Sequence, residues 1–166
     1  MQTDFIINYF IEQKTESVIM MSIGILSILF ALFFLFIIKY VFFNGLAASL
    51  LIAGVLQIYI GFQKLNKAYE DYDENFYLIR HSKNSITEII IPNLEYSLNN
   101  SIVSIYAELA FIIIGLVIFF RLKKITHTFW KGLFLGLIIS SFICLSLDLV
   151  SKHHIEKFEQ DLKNYN

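Results

Sequence analysis

The clearest candidate for chemistry in this 166-residue sequence is a glutamate inside an apolar run. Glu108 stands about two helical turns into the run 102–120, and Ser104, Ser101 and Ser97 precede it at spacings of four, three and four. On an α-helix these spacings place the four side chains on one face. A carboxylate at membrane depth costs at least ~2.5–3.5 kcal/mol, so Glu108 is a candidate for binding a proton, a cation or a partner's basic group.

A second carboxylate, Asp148, lies in the last turn of another apolar run, and Gln57 and Tyr59 lie near the end of a third. We predict that these residues and the serine stripe form a shallow polar cavity in one leaflet. Two interpretations of Glu108 stay open, because it can act as a functional group or accept a hydrogen bond from Gln57 or Tyr59. For Asp148 the pattern favours a position at the membrane interface beside Lys152.

Motifs of common soluble enzymes are absent from the sequence. There is no serine nucleophile elbow, phosphate loop or glycine-rich dinucleotide fingerprint. Ser101 and Ser104 lack a nearby histidine or lysine base, so a hydrolytic site is hard to build. His81, His153 and His154 lack the further ligands that a zinc site needs. We therefore expect no enzyme activity, no cofactor and no bound metal.

The elements that position these residues are four apolar runs in a chain that is 57% hydrophobic and 16% charged. A bilayer crossing needs ~20 mostly apolar helical residues. The runs that qualify are 17–38, 41–62, 102–120 and 129–150. The sequence therefore predicts an all-α protein, in which one integral membrane domain over residues 1–166 forms a four-helix transmembrane bundle.

Short connections between runs one and two and between runs three and four predict two antiparallel hairpins. Both termini and the central segment 63–101 then share one side of the membrane. The short turns and their edges carry basic residues without an acid: Lys39, Arg121, Lys123, Lys124 and Lys131. The positive-inside rule favours a cytoplasmic location for these turns, although the raw count of basic residues favours the opposite orientation.

The segments outside the four runs have an amphipathic pattern. Apolar residues recur at alternating spacings of four and three in 63–101 and again in 151–166, which is typical of a helical seam. The seam residues are Leu65, Tyr69, Tyr72 and Phe76 in the first segment and Ile155, Phe158 and Leu162 in the second. We predict that helices two and four continue beyond the membrane and that their seams pack against each other or a partner, which forms a small head.

Small residues repeat on two of the predicted helices. Ala47, Gly54 and Gly61 are spaced by seven on helix two, and helix four has a spacing of four through Gly132, Gly136, Ser140 and Cys144. Such faces allow helix backbones to approach closely. They hold the chain's own helices together, or they form a surface for self-association or for a partner's helix.

The stretch 61–115 carries Leu94 and Glu95, a polar helical turn, Glu108 and Gly115. In this pattern the chain resembles small four-pass bacterial membrane proteins, including polytopic immunity proteins that protect a producer cell from membrane-active toxins. The resemblance implies a bacterial inner membrane location and non-catalytic action. It assigns no functional residue beyond Glu95 and Glu108.

Two functions remain in competition at the level of sequence. In the first, the chain is a binding protein whose partner is a membrane protein or toxin. In the second, it is a small oligomeric channel or transporter in which Glu108 selects or relays a cation, and a homo-oligomer is needed because four helices enclose little pore. The lipid bilayer is a partner in both. The net charge of −1 gives no support for nucleic-acid binding.

Overall fold

The computed structural model describes residues 4–81, 86–122 and 128–165, with side chains for 6–72, 77, 88–122 and 128–164. Within these ranges the chain forms four long α-helices and no strand. They are α1 (Asp4–Phe33), α2 (Val41–His81), α3 (Ile91–Arg121) and α4 (Thr128–Tyr165). Two π-helical turns, Phe34–Ile38 and Ile86–Ile90, extend the end of α1 and the start of α3.

The all-α class is confirmed, and each of the four helices is long and apolar enough to cross a membrane. The helices extend beyond the predicted runs. α1 begins at Asp4, well before the predicted start at Ser17, because no proline or glycine interrupts residues 4–23. α3 begins at Ile91 with Pro92 in its first turn, where the missing N–H of proline costs nothing.

Only Lys39 and Tyr40 separate the first π-helical turn from α2. Lys39 has a φ of 52°, the left-handed conformation that commonly ends a helix. Its backbone N–H donates to the Phe34 carbonyl over 3.3 Å, and the N–H of Asn44 donates to the Tyr40 carbonyl over 3.0 Å. These bonds satisfy backbone groups on both sides of the turn, so the chain reverses within two residues.

The packing order places α4 at the centre. α4 packs extensively against α2 and α3 and makes a smaller contact with α1, while α1 and α2 pack extensively against each other. Within the part of the chain that the structure describes, α3 makes no comparable contact with α1 or α2. A gap therefore separates α3 from the α1–α2 pair.

Glycines permit the closest helix contacts. Gly24 of α1 and Gly54 of α2 face each other, and a Cβ on either would lie 2.7 Å from the other's carbonyl oxygen. A Cβ on Gly61 would lie 3.0 Å from the Ser17 carbonyl oxygen. These positions exclude larger side chains, because a bulkier residue would force the two backbones apart.

The contact between α2 and α4 is built in the same way. Gly45 lies against the Phe129 carbonyl, Gly132 lies against the Phe42 carbonyl, and Gly136 packs on Ser49. Ser140 is buried further along the same face of α4. The small-residue face of α4 therefore contacts α2 of the same chain. Gly54 and Gly61 of α2 instead face α1. Ala47 is fully buried and continues their spacing of seven, which places it on the same face.

At the end of the molecule that contains the start of α1, apolar side chains form a separate core, here called the head core. It consists of Ile6, Tyr9 and Phe10 from α1, Ile90 and Leu94 near the start of α3, and Ile155, Phe158 and Leu162 from α4. The Tyr9 and Phe158 rings stack with centroids 4.0 Å apart. The α4 seam thus packs on α1 and α3.

The predicted α2 seam contributes less to this core than the α4 seam does. Tyr72 packs against the head core and meets the Phe10 ring edge-on at 5.2 Å. Leu65 is half-buried and Tyr69 is half-exposed, and the Phe76 side chain lies outside the described residues. α1 supplies the missing apolar surface because it extends thirteen residues before the predicted span start at Ser17.

We expect Phe158→Ala to lower the free energy of unfolding by ~3–5 kcal/mol, because it removes a buried aromatic side chain and its stacking contact with Tyr9. Phe158 is 3% exposed. Tyr40→Ala is the matched control, since Tyr40 is 70% exposed in the turn and its loss should cost no more than ~0.5 kcal/mol. Unfolding followed by circular dichroism in detergent micelles measures both. Equal midpoints for the two variants would contradict a packed head core.

Candidate functional site

A polar cleft, called the cleft below, occupies the gap between α3 and the α1–α2 pair, with α4 as its floor. It has two lobes of about 320 and 270 Å³. Gln13, Lys67, Ser97 and Ile155 line both lobes. The lobe nearer the apolar ends of the helices is also lined by Glu16, Ser17, Lys64, Asn100, Ser101, Ser104, Asp148 and Ser151. All four helices therefore contribute polar groups to one space.

The structure brings the serine stripe and Asp148 together in the cleft. Ser97, Ser101 and Ser104 line it from α3, and Asp148 lines it from α4. The hydroxyl of Ser101 donates to the Ser97 carbonyl over 3.1 Å, as serines inside helices commonly do. The stripe lies on one face because α3 continues without interruption from Ile91 to Arg121.

Asp148 pairs across the helices with Lys64 of α2. Its Oδ1 lies 3.5 Å from the Lys64 Nζ, and its side chain is only 13% exposed. The expected neighbour, Lys152, instead lies 3.5 Å from Glu156 on its own helix. The prediction for Lys152 is wrong because α2 continues past Phe62 and places a lysine at the depth of Asp148.

A second polar contact joins α1 to α4 beside the cleft. The Oε1 of Glu16 and the Nδ1 of His154 form a hydrogen bond, and the Nε2 of the same ring lies 3.9 Å from Glu12. His154 is therefore part of a helix contact and not a solvated side chain. Among the described residues, no group of three or more His, Cys, Asp or Glu side chains is arranged to hold a metal ion.

Glu108 lies one turn beyond Ser104 and is half-buried. Two charged groups act on the Glu108 carboxylate. The charge of Asp148 has the same sign, and the charge of Lys64 has the opposite sign. Gln57 is 3% exposed, and its Nε2 donates to the Cys144 sulfur over 3.5 Å. The amide of Gln57 therefore joins α2 to α4 and does not reach across to Glu108.

Three buried acceptor oxygens have no hydrogen-bond partner among the described residues. They are Oε1 of Gln13, Oε1 of Gln57 and Oε2 of Glu108. Burying a polar group without a partner costs about 1–3 kcal/mol, so such groups mark places where a donor would bind favourably. Gln13 lines both lobes of the cleft, and its orphaned oxygen lies buried beside that space.

The structure places Tyr59 apart from the residues that line the cleft. Tyr59 is 59% exposed, and its hydroxyl accepts a hydrogen bond from Gln63 one turn further along α2. A separation of two residues turns a helical side chain by about 200°, so Tyr59 and Gln57 face opposite directions.

Sequence reasoning missed several residues of the cleft, namely Gln13, Glu16, Lys64, Lys67 and Asn100. The sequence does contain a signal for one of them, Lys64. It follows Gln57 by seven residues and therefore lies on the same face of α2. The walls of the cleft are polar and charged, and two of their carboxylates, Asp148 and Glu16, already pair with Lys64 and His154. Charges that are paired in this way suit binding more than bond-making chemistry. Comparison of the chain with protein-family models, with curated proteins and with solved structures gave no match.

Substitutions at Asp148 in the cleft and at nearby Glu108 should have different effects. Glu108→Gln keeps the shape of the side chain and removes a like charge beside Asp148, so we expect the unfolding free energy to stay equal or rise. Asp148→Asn leaves Lys64 without its ion partner and should cost up to ~1 kcal/mol. Denaturant titration in micelles compares both. A loss for Glu108→Gln equal to that for Asp148→Asn would contradict this electrostatic arrangement.

Proposed function

We propose that this chain is a non-catalytic, multi-pass protein of the bacterial inner membrane that acts by binding a membrane partner in the cleft. Immunity to a membrane-active toxin is a role that this mode of action serves, since a toxin segment held in the cleft cannot assemble elsewhere. The observation that carries the proposal is the position of α3, which packs along α4 and leaves the cleft between itself and the α1–α2 pair.

The shape of the cleft favours a segment of a partner over a small molecule. The two lobes of the cleft share four lining residues, so together they form one elongated space along α3. Its walls combine serine and asparagine side chains with Lys67 and the buried oxygen of Gln13. A partner that offers a backbone amide would supply the donor that the Gln13 oxygen lacks.

The packing of α3 also supports a binding role. Apart from its start, which belongs to the head core, α3 packs mainly on α4. Helices with few buried contacts are the ones that move when a partner binds. A partner in the cleft would contact α1, α2 and α3 together and thereby replace the contacts that α3 lacks.

The membrane topology belongs to the proposal as well. We infer two antiparallel hairpins, α1 with α2 and α3 with α4, so that the head core and both ends of the described chain lie on one side. The basic residues near the two short connections then lie in the cytoplasm. This orientation turns the head core and the cleft away from the cytoplasm, towards the side from which an external toxin arrives.

The alternative function is a small oligomeric channel or transporter that uses the carboxylate of Glu108. The observation that favours it is a set of polar groups inside the apolar region, where Gln57, Cys144 and Glu108 lie close together. Under this alternative, Glu108→Gln abolishes ion flux into proteoliposomes while assembly persists. Under the binding proposal the same variant retains protection, because Glu108 lies beyond the serine stripe.

A side chain that fills the cleft should abolish partner binding. Ser101→Trp places an indole between α3 and the α1–α2 pair, whereas Asn99→Trp places the same group on the exposed side of α3 and serves as the matched control. Cells that express each variant are exposed to candidate membrane-active toxins, beginning with one encoded by an adjacent gene. We expect protection and complex recovery in mild detergent for Asn99→Trp and neither for Ser101→Trp.

The outcome that would remove the cleft from the proposed function is full protection by Ser101→Trp at normal expression. If Ser101→Trp loses protection because it does not fold, its elution profile in detergent will differ from that of Asn99→Trp. In that case Ser101→Leu, which fills less of the lobe, takes its place with the same expected loss of protection.

The topology is tested with single cysteines in a Cys144→Ser background. Cysteines at Lys67 and Lys163 should react from the same side of intact membrane vesicles with an impermeant maleimide, and one at Lys39 from the opposite side. Two crossings, by α3 and α4, separate Lys67 from Lys163, so these two positions share a side. One crossing, by α2, separates Lys39 from Lys67, so Lys39 lies on the opposite side. Equal labelling of Lys39 and Lys67 would overturn the paired-hairpin topology.

A further inference from the structure

The polar faces that line the cleft continue one helical turn further from the head core, into the apolar part of the helices. Asp148 of α4 and Ser104 of α3 line the cleft, and Cys144 and Glu108 lie one turn deeper on the same faces. Gln57 of α2 reaches this level, because its Nε2 donates to the Cys144 sulfur over 3.5 Å. Three helices thus place Gln57, Cys144 and Glu108 near one position, here called the deep site.

Two buried oxygens of the deep site have no hydrogen-bond partner among the described residues. They are Oε1 of Gln57 and Oε2 of Glu108. Gln57 is 3% exposed, and its contact with Cys144 uses the other end of the same amide. An acceptor oxygen that is buried without a partner is costly, so the two oxygens mark a position where a donor or a cation binds favourably.

The charges at and beside the deep site do not balance. Glu108 and Asp148 each carry a negative charge when they are ionised, and Lys64, which pairs with Asp148, carries the positive one. The charges of Asp148 and Lys64 act on Glu108, and the charges of all three residues act on Cys144. One negative charge is therefore left over. At membrane depth an uncompensated charge is costly, and a single positive charge would cancel it.

A proton and a metal ion differ in how they complete the deep site. A proton on Glu108 cancels the charge, but it leaves the Gln57 oxygen without a donor, because the Gln57 amide does not reach Glu108. A monovalent cation cancels the charge and takes both oxygens as ligands, whereas a divalent ion would leave a positive charge in excess. Carboxylate and amide oxygens are the ligands that hard cations prefer, and histidine is not required.

We propose that the deep site binds one alkali metal cation, with the Glu108 carboxylate and the Gln57 amide oxygen as its protein ligands. Asp148 and Lys64 set the charge of the site without touching the ion. The ion enters from the cleft, whose lining residue Ser104 lies one turn above Glu108, and water from the cleft completes the coordination. Because Gln57 belongs to α2 and Glu108 to α3, the ion ties together two helices that both pack on α4.

The deep site goes beyond the binding proposal and does not depend on it. Ion binding is measured with purified protein in the absence of any partner, so a negative result would leave the cleft proposal unchanged. A positive result would not by itself establish the channel alternative, because a channel must also release the ion on the other side.

The test is the melting temperature of the protein in detergent micelles. The parent protein is unfolded in sodium chloride, in potassium chloride and in choline chloride at the same ionic strength, since choline is too large for the deep site. We expect a higher melting temperature in at least one alkali salt, and a further rise with its concentration, because an ion that binds only the folded state stabilises it. Isothermal titration calorimetry with that salt should give one ion per chain.

Two variants each remove one proposed ligand. Glu108→Gln and Gln57→Met should lose the alkali-dependent rise in melting temperature. In choline, Glu108→Gln should be at least as stable as the parent, because it no longer carries a like charge beside Asp148. Glu156→Gln is the matched control, since it removes a carboxylate that contacts Lys152 on the same helix, and it should keep the full rise.

Two results would overturn the proposal. The first is an equal melting temperature of the parent in all three salts, which would leave a proton as the group that cancels the charge. The second is an alkali-dependent rise that persists in Glu108→Gln, because the ion would then bind elsewhere. Glu108→Gln preserves the shape of the side chain and carries the test alone if Gln57→Met does not fold.

Discussion

The close approach of α2 to both of its neighbours is the constraint on which the rest of the structure depends. Apolar side chains gain little from leaving lipid for protein, so helices in a bilayer are held by dense packing and by polar contacts. Gly24 and Gly54 bring α1 against α2, and Gly45 and Gly132 bring α4 against α2, each by reciprocal contact with a backbone carbonyl. No other side chain fits at these four positions without separating the helices.

The position of α3 follows from this arrangement. With α1 and α4 on two sides of α2, α3 packs on a remaining face of α4. The space that this leaves beside α1 and α2 is the cleft. Polar contacts span the helices around it, with Lys64 and Asp148 joining α2 to α4, and Glu16 and His154 joining α1 to α4. These pairs place charged groups in the cleft walls without leaving them unpartnered.

Periodicity and run length were sufficient to predict the helical class, the four apolar helices and the serine stripe, because these depend on one helix at a time. Relations between helices were harder to predict. Gly24 and Gly45 stand at no repeated spacing, and their role becomes visible only when the facing backbone is known. The spacing of four predicts Lys152 on the same helix as the neighbour of Asp148, whereas the structure provides Lys64 from α2.

The same limit explains the head core. A heptad-like seam in residues 155–162 predicts that a partner surface exists, but the pattern does not say which element supplies it. Tyr9 and Phe10 do so because α1 is continuous from Asp4, and this continuity requires only that no residue near Ser17 breaks the helix. Tyr9 and Phe10 also line the 320 Å³ lobe of the cleft, so the continuity of α1 builds the head core and one wall of the cleft together.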